Sequence, residues 1–188
     1  NAENAVNANA GNQPQEEKKD LTVAAAVSVN SDRHRTYAEI NSDLKIANNP
    51  KVKVNAVNNT GFTSIATAAS VSSDTAIGVA CAIMANNNEA IAKITGNVGD
   101  SANKAGGIEV TAETNINVTG EYTDDVSVQA IAGAGKGNAS DGIVAAGALA
   151  ILYSNAKTLA KIGGSEACNI YAADDAMIIV SAKEKNKA

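Results

Sequence analysis

Apolar and polar positions alternate with a period of two in several segments of the chain, as they do in β-strands. Over residues 21–29 the odd positions make an aliphatic face, and the even positions are Thr22, Ala24, Ala26 and Ser28. Helical spacing fits this segment less well. The pattern predicts an all-β protein.

Similar strand-like segments recur along the chain. Four sets can be aligned: 52–56 with 108–112 and 168–172; 37–40 with 91–94 and 159–162; 21–30 with 77–86 and 143–154; and 6–11 with 62–68, 128–133 and 178–182. In each of the first three sets, the members follow one another at similar, long intervals. Repetition of this kind predicts stacked structural repeats.

The repeats predict about three copies of a four-strand unit. The copies cover approximately 21–75, 76–142 and 143–188, and residues 1–20 are the tail of a preceding copy. Both ends fall inside a copy, so we expect a single repetitive segment, a fragment of a longer protein. We predict a parallel β-solenoid, in which strands stack while loops of unequal length point outward. An antiparallel Ala-rich β-sandwich is the alternative, because several connections are short enough for hairpins.

Asn, Asp and Gly mark the expected connections, because these residues tolerate positive φ or bond their own backbone. Clusters of them predict turns at 58–61, 86–88, 135–142 and 174–175. Further connections, of unequal length, are expected at 41–51, 96–107 and 163–167.

The even-numbered face of the segment 21–29 is small and apolar, although a half-exposed strand would carry polar residues there. Segments 77–85 and 143–153 share the feature. We therefore expect this nominally outer face to be covered, either by another strand layer of the same chain or by a second chain.

Composition limits the kind of core and the kind of partner. The chain has 188 residues, of which 45% are hydrophobic but only 3% aromatic, with no Trp. A core of small and β-branched side chains follows. The net charge of -5 argues against nucleic acid or an anionic membrane as a partner. No apolar run has the length of a signal peptide or a membrane span.

Candidate chemical residues are few, and each has a structural explanation. Cys81 and Cys168 occupy aliphatic positions of the repeat and are expected to be small buried residues. A disulfide would require two different sets of segments to meet, and no metal-binding spacing is present. We expect no cofactor, metal or catalytic residue.

Three further motifs are predicted to be turns. The segment 31–35 holds His34 and both arginines of the chain, and could contact a sulfated glycan or a phosphate. The run Gly133, Gly135 and Gly137 lacks the Lys-Ser/Thr ending of a phosphate-binding loop. The acidic pairs at 124–125 and 174–175 lack the alternating ligands of a calcium loop.

Paired carboxylates are considered because β-helices often belong to enzymes that cleave polysaccharides. Glu109, Glu113 and Glu121 could share an outer face, as a glycoside hydrolase requires. Direct stacking of the copies would place Lys53 beside Glu109, so pairing of charges across strands is the preferred interpretation.

The order of these motifs resembles the repeats of leukotoxin-type, filamentous-haemagglutinin-like bacterial adhesins. The resemblance rests on the V-x-V-x-A strand, the small-residue patch at 130–135, the strand at 77–85, the Asn-rich turn and the A-x-I strand. It implies a non-catalytic shaft segment of a large adhesin, secreted or at the bacterial cell surface, whose loops contact a host-cell protein or glycan.

Alternative functions are a carbohydrate-active or carbohydrate-binding β-helix, and a filament subunit that associates laterally through the Ala-rich face. Insertion into a membrane is not expected.

Overall fold

The computed structural model describes residues 2–11, 21–72, 74–117, 127–137, 142–164 and 167–187. These residues form nine strands and no helix: β1 (Ala2–Gly11), β2 (Leu21–Ile40), β3 (Lys51–Thr60), β4 (Phe62–Ser72), β5 (Thr75–Ile94), β6 (Ala105–Asn117), β7 (Ser127–Lys136), β8 (Ile143–Ile162) and β9 (Ala172–Lys187). The all-β class predicted from the alternation is confirmed.

The nine strands make three sheets, each with one strand from every third of the chain. Sheet A has the order β1-β4-β7, sheet B the order β2-β5-β8 and sheet C the order β3-β6-β9. Every pairing whose register the structure gives is parallel. The antiparallel sandwich is therefore wrong.

The repeating unit has three strands, and the prediction of four is wrong. Segments 21–30 and 37–40, which the sequence places in separate strands, are two parts of the 20-residue β2. The corresponding segments lie together in β5 and in β8. A strand of this length stays continuous through its polar middle because neighbouring strands pair with it on the backbone, whatever the side chains are.

One segment of the third copy is aligned with the wrong strand in the sequence. Ile108 pairs with Ile178 of β9, so 178–182 belongs to sheet C and the alignment of 168–172 with β6 is wrong. Ile170 instead bridges Val98, which in turn bridges Leu44 in the preceding connection. Both segments carry alternating aliphatic residues, so their patterns look alike.

Contacts divide the chain into two compact units. Unit 1 comprises Asn1–Asp32, Gly61–Asn86 and Val118–Ser154, and unit 2 comprises Arg33–Thr60, Asn87–Asn117 and Asn155–Ala188. Sheet A lies in unit 1 and sheet C in unit 2, while each strand of sheet B contributes its first part to unit 1 and its last part to unit 2.

The core of unit 1 consists of alanines on facing strands of sheets A and B. Its fully buried members are Ala24, Ala26, Ala66, Ala68, Ala80 and Ala82. On β2 and β5 the small even-numbered face is thus covered within the chain, which is one of the two expectations. On β8 the expectation fails, because the same face is exposed, with Val144 at 42%. It is the inner face of the strand, whereas the aliphatic odd-numbered face points outward, with Val27 58% exposed. The sequence assigned these two faces the other way round.

Small side chains let sheets A and B approach closely in unit 1. A Cβ atom built on Gly78 of β5 would lie 2.2 Å from the carbonyl oxygen of Gly133 in β7. Ser28 Oγ of β2 lies 3.0 Å from Ser64 Oγ of β4. Bulkier inner residues would push the two sheets apart, which is why the smaller face is buried.

The core of unit 2 is aliphatic with a polar layer beside it. Val54, Ile94 and Val110 are among the buried members. At the polar layer, the hydroxyl of Thr60 donates to Asn88 Oδ1 at 2.7 Å, which satisfies one buried amide oxygen.

Several predicted turns lie inside strands. Residues 86–88 belong to β5, 174–175 to β9 and 133–136 to β7. The connections of unit 2 instead use Asn48 and Asn49, with φ of 64° and 49°, and Gly163, with φ of 101°. Asn and Gly adopt these left-handed conformations at the lowest cost.

Candidate functional site

The most concentrated group of charged side chains surrounds Glu89 on β5. Its carboxylate lies 3.1 Å from Arg35 Nε on β2 and 3.1 Å from Lys157 Nζ on β8. The hydroxyl of Tyr37 donates to the same carboxylate at 2.5 Å. One carboxylate thus joins all three strands of sheet B.

These contacts shift the pKa of both acids in opposite directions. Hydrogen bonds from Tyr37 and then Lys157 lower the pKa of Glu89 below the ordinary Glu value. The hydrogen bond to Glu89 raises the pKa of the Tyr37 hydroxyl, because the phenol is held in its donating form. At neutral pH the group is therefore a carboxylate with a neutral phenol.

An open groove of about 460 Å³ lies beside this group in unit 2. It is lined by Arg33, Asn87, Asn88, Glu89, Asn155 and Lys157. The lining offers two cations and three amides, and its one carboxylate is already paired. Such a surface can hydrogen-bond a polar, anionic group.

The structure changes the interpretation of the segment 31–35. These residues belong to β2 rather than to a turn, and Arg33, His34 and Arg35 are all exposed. Arg33 reaches the groove and Arg35 pairs with Glu89. The main-chain oxygen of His34 accepts a hydrogen bond from Asn58 Nδ2 at 3.2 Å, so this part of the strand is held in place.

The Glu89 group was not predicted from the sequence, although the sequence contains a signal for it. The aligned segments 37–40, 91–94 and 159–162 are each preceded, two positions before their first residue, by a charged side chain. These side chains are Arg35, Glu89 and Lys157. Extending the alignment by two positions would therefore have placed the three charges side by side.

Ion pairs also cross neighbouring strands of sheet C. Lys53 Nζ lies 3.0 Å from Glu109 Oε1, and Lys51 Nζ lies 2.9 Å from Glu109 Oε2. Lys185 Nζ of β9 lies 2.6 Å from Glu113 Oε1. The predicted pairing of Lys53 with Glu109 is confirmed.

These pairs bear on the carboxylates considered for glycoside cleavage. Lys51 and Lys53 lower the pKa of Glu109, and Lys185 and Asn115 lower that of Glu113. The two residues are four positions apart on one strand, or about 13 Å, whereas the required separation is about 5 to 10 Å with one carboxyl protonated. Glu121 lies outside the described residues.

Amides and hydroxyls form a second set of contacts between strands. Thr111 Oγ1 donates to Asn55 Oδ1 at 2.7 Å, and Asn115 Nδ2 donates to Asn59 Oδ1 at 2.7 Å. Both pairs join residues 56 positions apart, which is the spacing of β3 and β6. The outer face of sheet C is therefore stabilised by side chains as well as by the backbone.

The remaining candidate residues lie apart from one another. Gly133 and Gly135 are in β7 and Gly137 follows it. Asp174 lies in β9, 3.6 Å from Lys104 Nζ, and the pair 124–125 lies outside the described residues. In the part of the chain that the structure describes, no group of three or more His, Cys, Asp or Glu side chains could hold a metal ion.

Both cysteines are free thiols and only partly buried, so the prediction that they are small buried residues holds only in part. Cys81 lies on the partly exposed outer face of β5, because the inner face of that strand carries the even-numbered residues. The thiol of Cys168 donates to the carbonyl oxygen of Gly96 at 2.8 Å.

An apolar surface covers the outer face of sheet B in unit 1. Its most exposed large members are Leu21, Val23, Val27, Val29, Val79, Ile143, Leu149, Ile151 and Tyr153. A contiguous exposed patch of this kind is typical of an interaction surface. Over the described residues, no helix has the length and apolar character needed to cross a membrane.

Comparison of the chain with family models, with curated proteins and with solved structures finds no match.

Proposed function

We propose that this chain is a non-catalytic shaft segment of a large bacterial adhesin, secreted or at the cell surface, and that its sheets form a parallel β-solenoid. The observation that carries the proposal is the common order of the three sheets. Each third of the chain adds one parallel strand to sheet A, one to sheet B and one to sheet C. Successive addition of equivalent strands is how a solenoid grows.

The contacts between the copies suit a mechanical role. Backbone hydrogen bonds join strands within each sheet, and the pairs Lys53–Glu109, Asn55–Thr111 and Arg35–Glu89 join the same strands by their side chains. The charged groups are occupied by one another rather than arranged around a substrate. A stiff spacer that presents its variable connections to a host-cell protein or glycan accounts for both features.

The adhesin assignment rests on the resemblance of the repeats, and the shaft assignment rests on the stacking. A shaft predicts that copies can be added without disturbing the others, because each copy contacts only its neighbours. Asn87 and Asn155, which are 68 positions apart, are hydrogen-bonded across β5 and β8. That spacing defines one copy.

The test duplicates residues 92–159 in tandem, so that Leu159 is followed by a second Ala92. This insert is as long as the spacing between Asn87 and Asn155. The strand formed at the junction, which joins the first part of β8 to the last part of β5, therefore keeps its alternation of buried and exposed positions. The 20-residue strands are about 66 Å long across the stacking direction, so added copies change the maximum dimension little. Small-angle X-ray scattering of chains with one, two and three inserts should instead show a thickness along the stacking direction that grows by about 4.8 Å per copy. The unfolding midpoint should not fall as copies are added.

The matched control duplicates residues 92–158, which is one residue shorter. This insert shifts the following strand by one position and exchanges its buried and exposed faces, so it should lower the unfolding midpoint sharply. Equal behaviour of the two inserts, or a thickness that does not increase with copy number, would contradict the shaft.

A further inference from the structure

The part of sheet B that lies in unit 2 carries an excess of positive charge. It consists of residues 33–40 of β2, 87–94 of β5 and 155–162 of β8, which hold five cations and two carboxylates. These residues are Arg33, Arg35, Glu39, Glu89, Lys93, Lys157 and Lys161. The two carboxylates leave three positive charges in excess, although the net charge of the whole chain is -5.

All seven charged residues lie on the outer face of the sheet. They occupy odd-numbered positions, whereas even-numbered residues of the same segments, such as Ala38, Ile94 and Ala160, pack in the core of unit 2. Alternate side chains of a strand are about 7 Å apart and neighbouring strands about 4.8 Å apart, so the charges form a continuous array. Strands added beside β2 or β8 would extend this face and would not cover it.

The ion pairs of this face use only part of its positive charge. Glu39 pairs with Lys93 at 2.8 Å, and Glu89 is shared by Arg35 and Lys157. Arg33 and Lys161 are exposed on the same face. An anion can therefore approach the face without displacing either carboxylate.

The groove beside Glu89 adds hydrogen-bonding groups to the positive charge. Its volume of about 460 Å³ lies in the range of small-molecule sites. Asn87 and Asn155, which are joined by a 3.4 Å hydrogen bond, both line it, and side-chain amides can donate to and accept from the hydroxyls of a sugar. Tyr37, which is 51% exposed, lies on the same face, and its ring offers an apolar surface to a sugar ring.

We propose that this face binds an acidic polysaccharide, a chain of sugar rings that carry carboxylate or sulfate groups. One sugar unit lies in the groove, and Arg33, Lys157 and Lys161 contact anionic groups along the chain. A polysaccharide fits better than nucleic acid, because the amides and the tyrosine suit sugar rings. Duplex DNA carries a charge about every 1.7 Å, and the net negative charge of the protein would repel so dense a polyanion.

This inference goes beyond the shaft proposal, in which the variable connections between strands contact the partner. Here the strands themselves provide the contact. The binding does not depend on whether the chain belongs to an adhesin, so the two proposals can fail separately.

The experiment is isothermal titration calorimetry of the full chain with polygalacturonate, which carries carboxylates, with dextran sulfate and with neutral dextran. Both acidic polymers should bind and neutral dextran should not. With about three cations in excess, counterion release should raise the dissociation constant about 10- to 100-fold between about 50 mM and about 200 mM salt. The acidic polymer that binds more tightly identifies the preferred anionic group.

The test variant combines Arg33→Gln with Lys161→Gln, two exposed positions of the face. It should weaken binding by about tenfold or more and should lower the slope of log affinity against log salt by about two. Lys161→Gln alone should weaken binding about threefold. The matched control combines Lys53→Gln with Lys183→Gln, which removes the same charge from the outer face of sheet C.

The control should change the dissociation constant by less than about threefold. Both double variants should unfold within about 4 °C of the wild type, because all four positions are exposed. Absence of binding to both acidic polymers at about 50 mM salt overturns the proposal. Equal weakening by the control variant also overturns it, and so does tighter binding to a DNA duplex than to either acidic polysaccharide.

Discussion

The close approach of sheets A and B in unit 1 makes a sharp prediction for two glycines. Gly78 lies on the inner face of β5, where an added Cβ would be 2.2 Å from the carbonyl oxygen of Gly133. Gly147 lies on β8, where an added Cβ would meet nothing within 4 Å. Neither position has a positive φ, so alanine fits the backbone at both, and the surroundings alone decide the outcome.

For Gly78→Ala, the overlap requires the two sheets to separate locally by about 1 Å to restore ordinary contact of about 3.5 Å. Overpacking of a well-packed core costs about 1 to 3 kcal/mol. In a chain of this length, 1 kcal/mol corresponds to about 2 to 4 °C in the unfolding midpoint, so Gly78→Ala should lower the midpoint by about 2 to 12 °C. Gly147→Ala should instead stabilise the chain by about 0.4 to 1 kcal/mol, because alanine reduces the entropy of the unfolded state.

The assay is urea unfolding followed by far-UV circular dichroism, with thermal unfolding as a second measure. The two variants should move the free energy of unfolding in opposite directions. A neutral or stabilising effect of Gly78→Ala would refute the reasoning, because β7 would then not lie against the inner face of β5.

Three further predictions concern buried amides and the ion pairs. Glu89 and Glu109 have a lowered pKa in the folded chain, so their ion pairs stabilise it fully above the ordinary Glu pKa of 4.5 and lose that effect as the pH falls through the lowered pKa. In Glu89→Gln and Glu109→Gln, the free energy of unfolding, measured by urea titration, should therefore fall less between about pH 7 and about pH 3 than in the wild type. An equal fall in the variants and the wild type would contradict this prediction. Both polar side-chain atoms of the fully buried Asn86 lack a hydrogen-bond partner among the described residues, so Asn86→Leu should raise the free energy of unfolding by about 1 to 3 kcal/mol. A lower free energy of unfolding in the variant would mean that the amide of Asn86 is hydrogen-bonded. Thr60→Val removes the donor to Asn88 Oδ1 and should lower the free energy of unfolding by about 1 to 3 kcal/mol in the same titration; no change would mean that the hydrogen bond is absent.

The strands, and most of their grouping into sheets, could be predicted from the sequence. The alternation of apolar and polar positions and the spacing of the repeats are kept even where the individual residues differ between copies. Segments 21–30, 77–86 and 143–154 do lie in one sheet, and 52–56 does pair with 108–112. The sequence could not decide which face of β2 is buried, because both faces are apolar. Burial of the smaller face follows from the distance between two sheets, which no single segment encodes.

The third copy was misaligned for a related reason. Residues 168–172 and 178–182 both present aliphatic residues at alternate positions. The sequence places the end of the loop before the last strand at residue 167, whereas β9 begins at Ala172. The pairing of Ile108 with Ile178 shows that 178–182, and not 168–172, lies beside β6. The Glu89 group was overlooked because charged residues in the middle of a strand resemble a turn when neighbouring strands are not in view.

Disulfide cross-linking of sheet C tests the central claim, the parallel register of three stacked copies, most directly. In a background with Cys81 and Cys168 replaced by Ala, one protein carries Asn55→Cys with Thr111→Cys, and a second carries Thr111→Cys with Ser181→Cys. Both pairs are direct neighbours in the register, about 4.8 Å apart, which suits a disulfide. The account predicts rapid oxidation of both pairs. Failure of both, or oxidation of Thr111→Cys with Tyr171→Cys instead of Ser181→Cys, would contradict it.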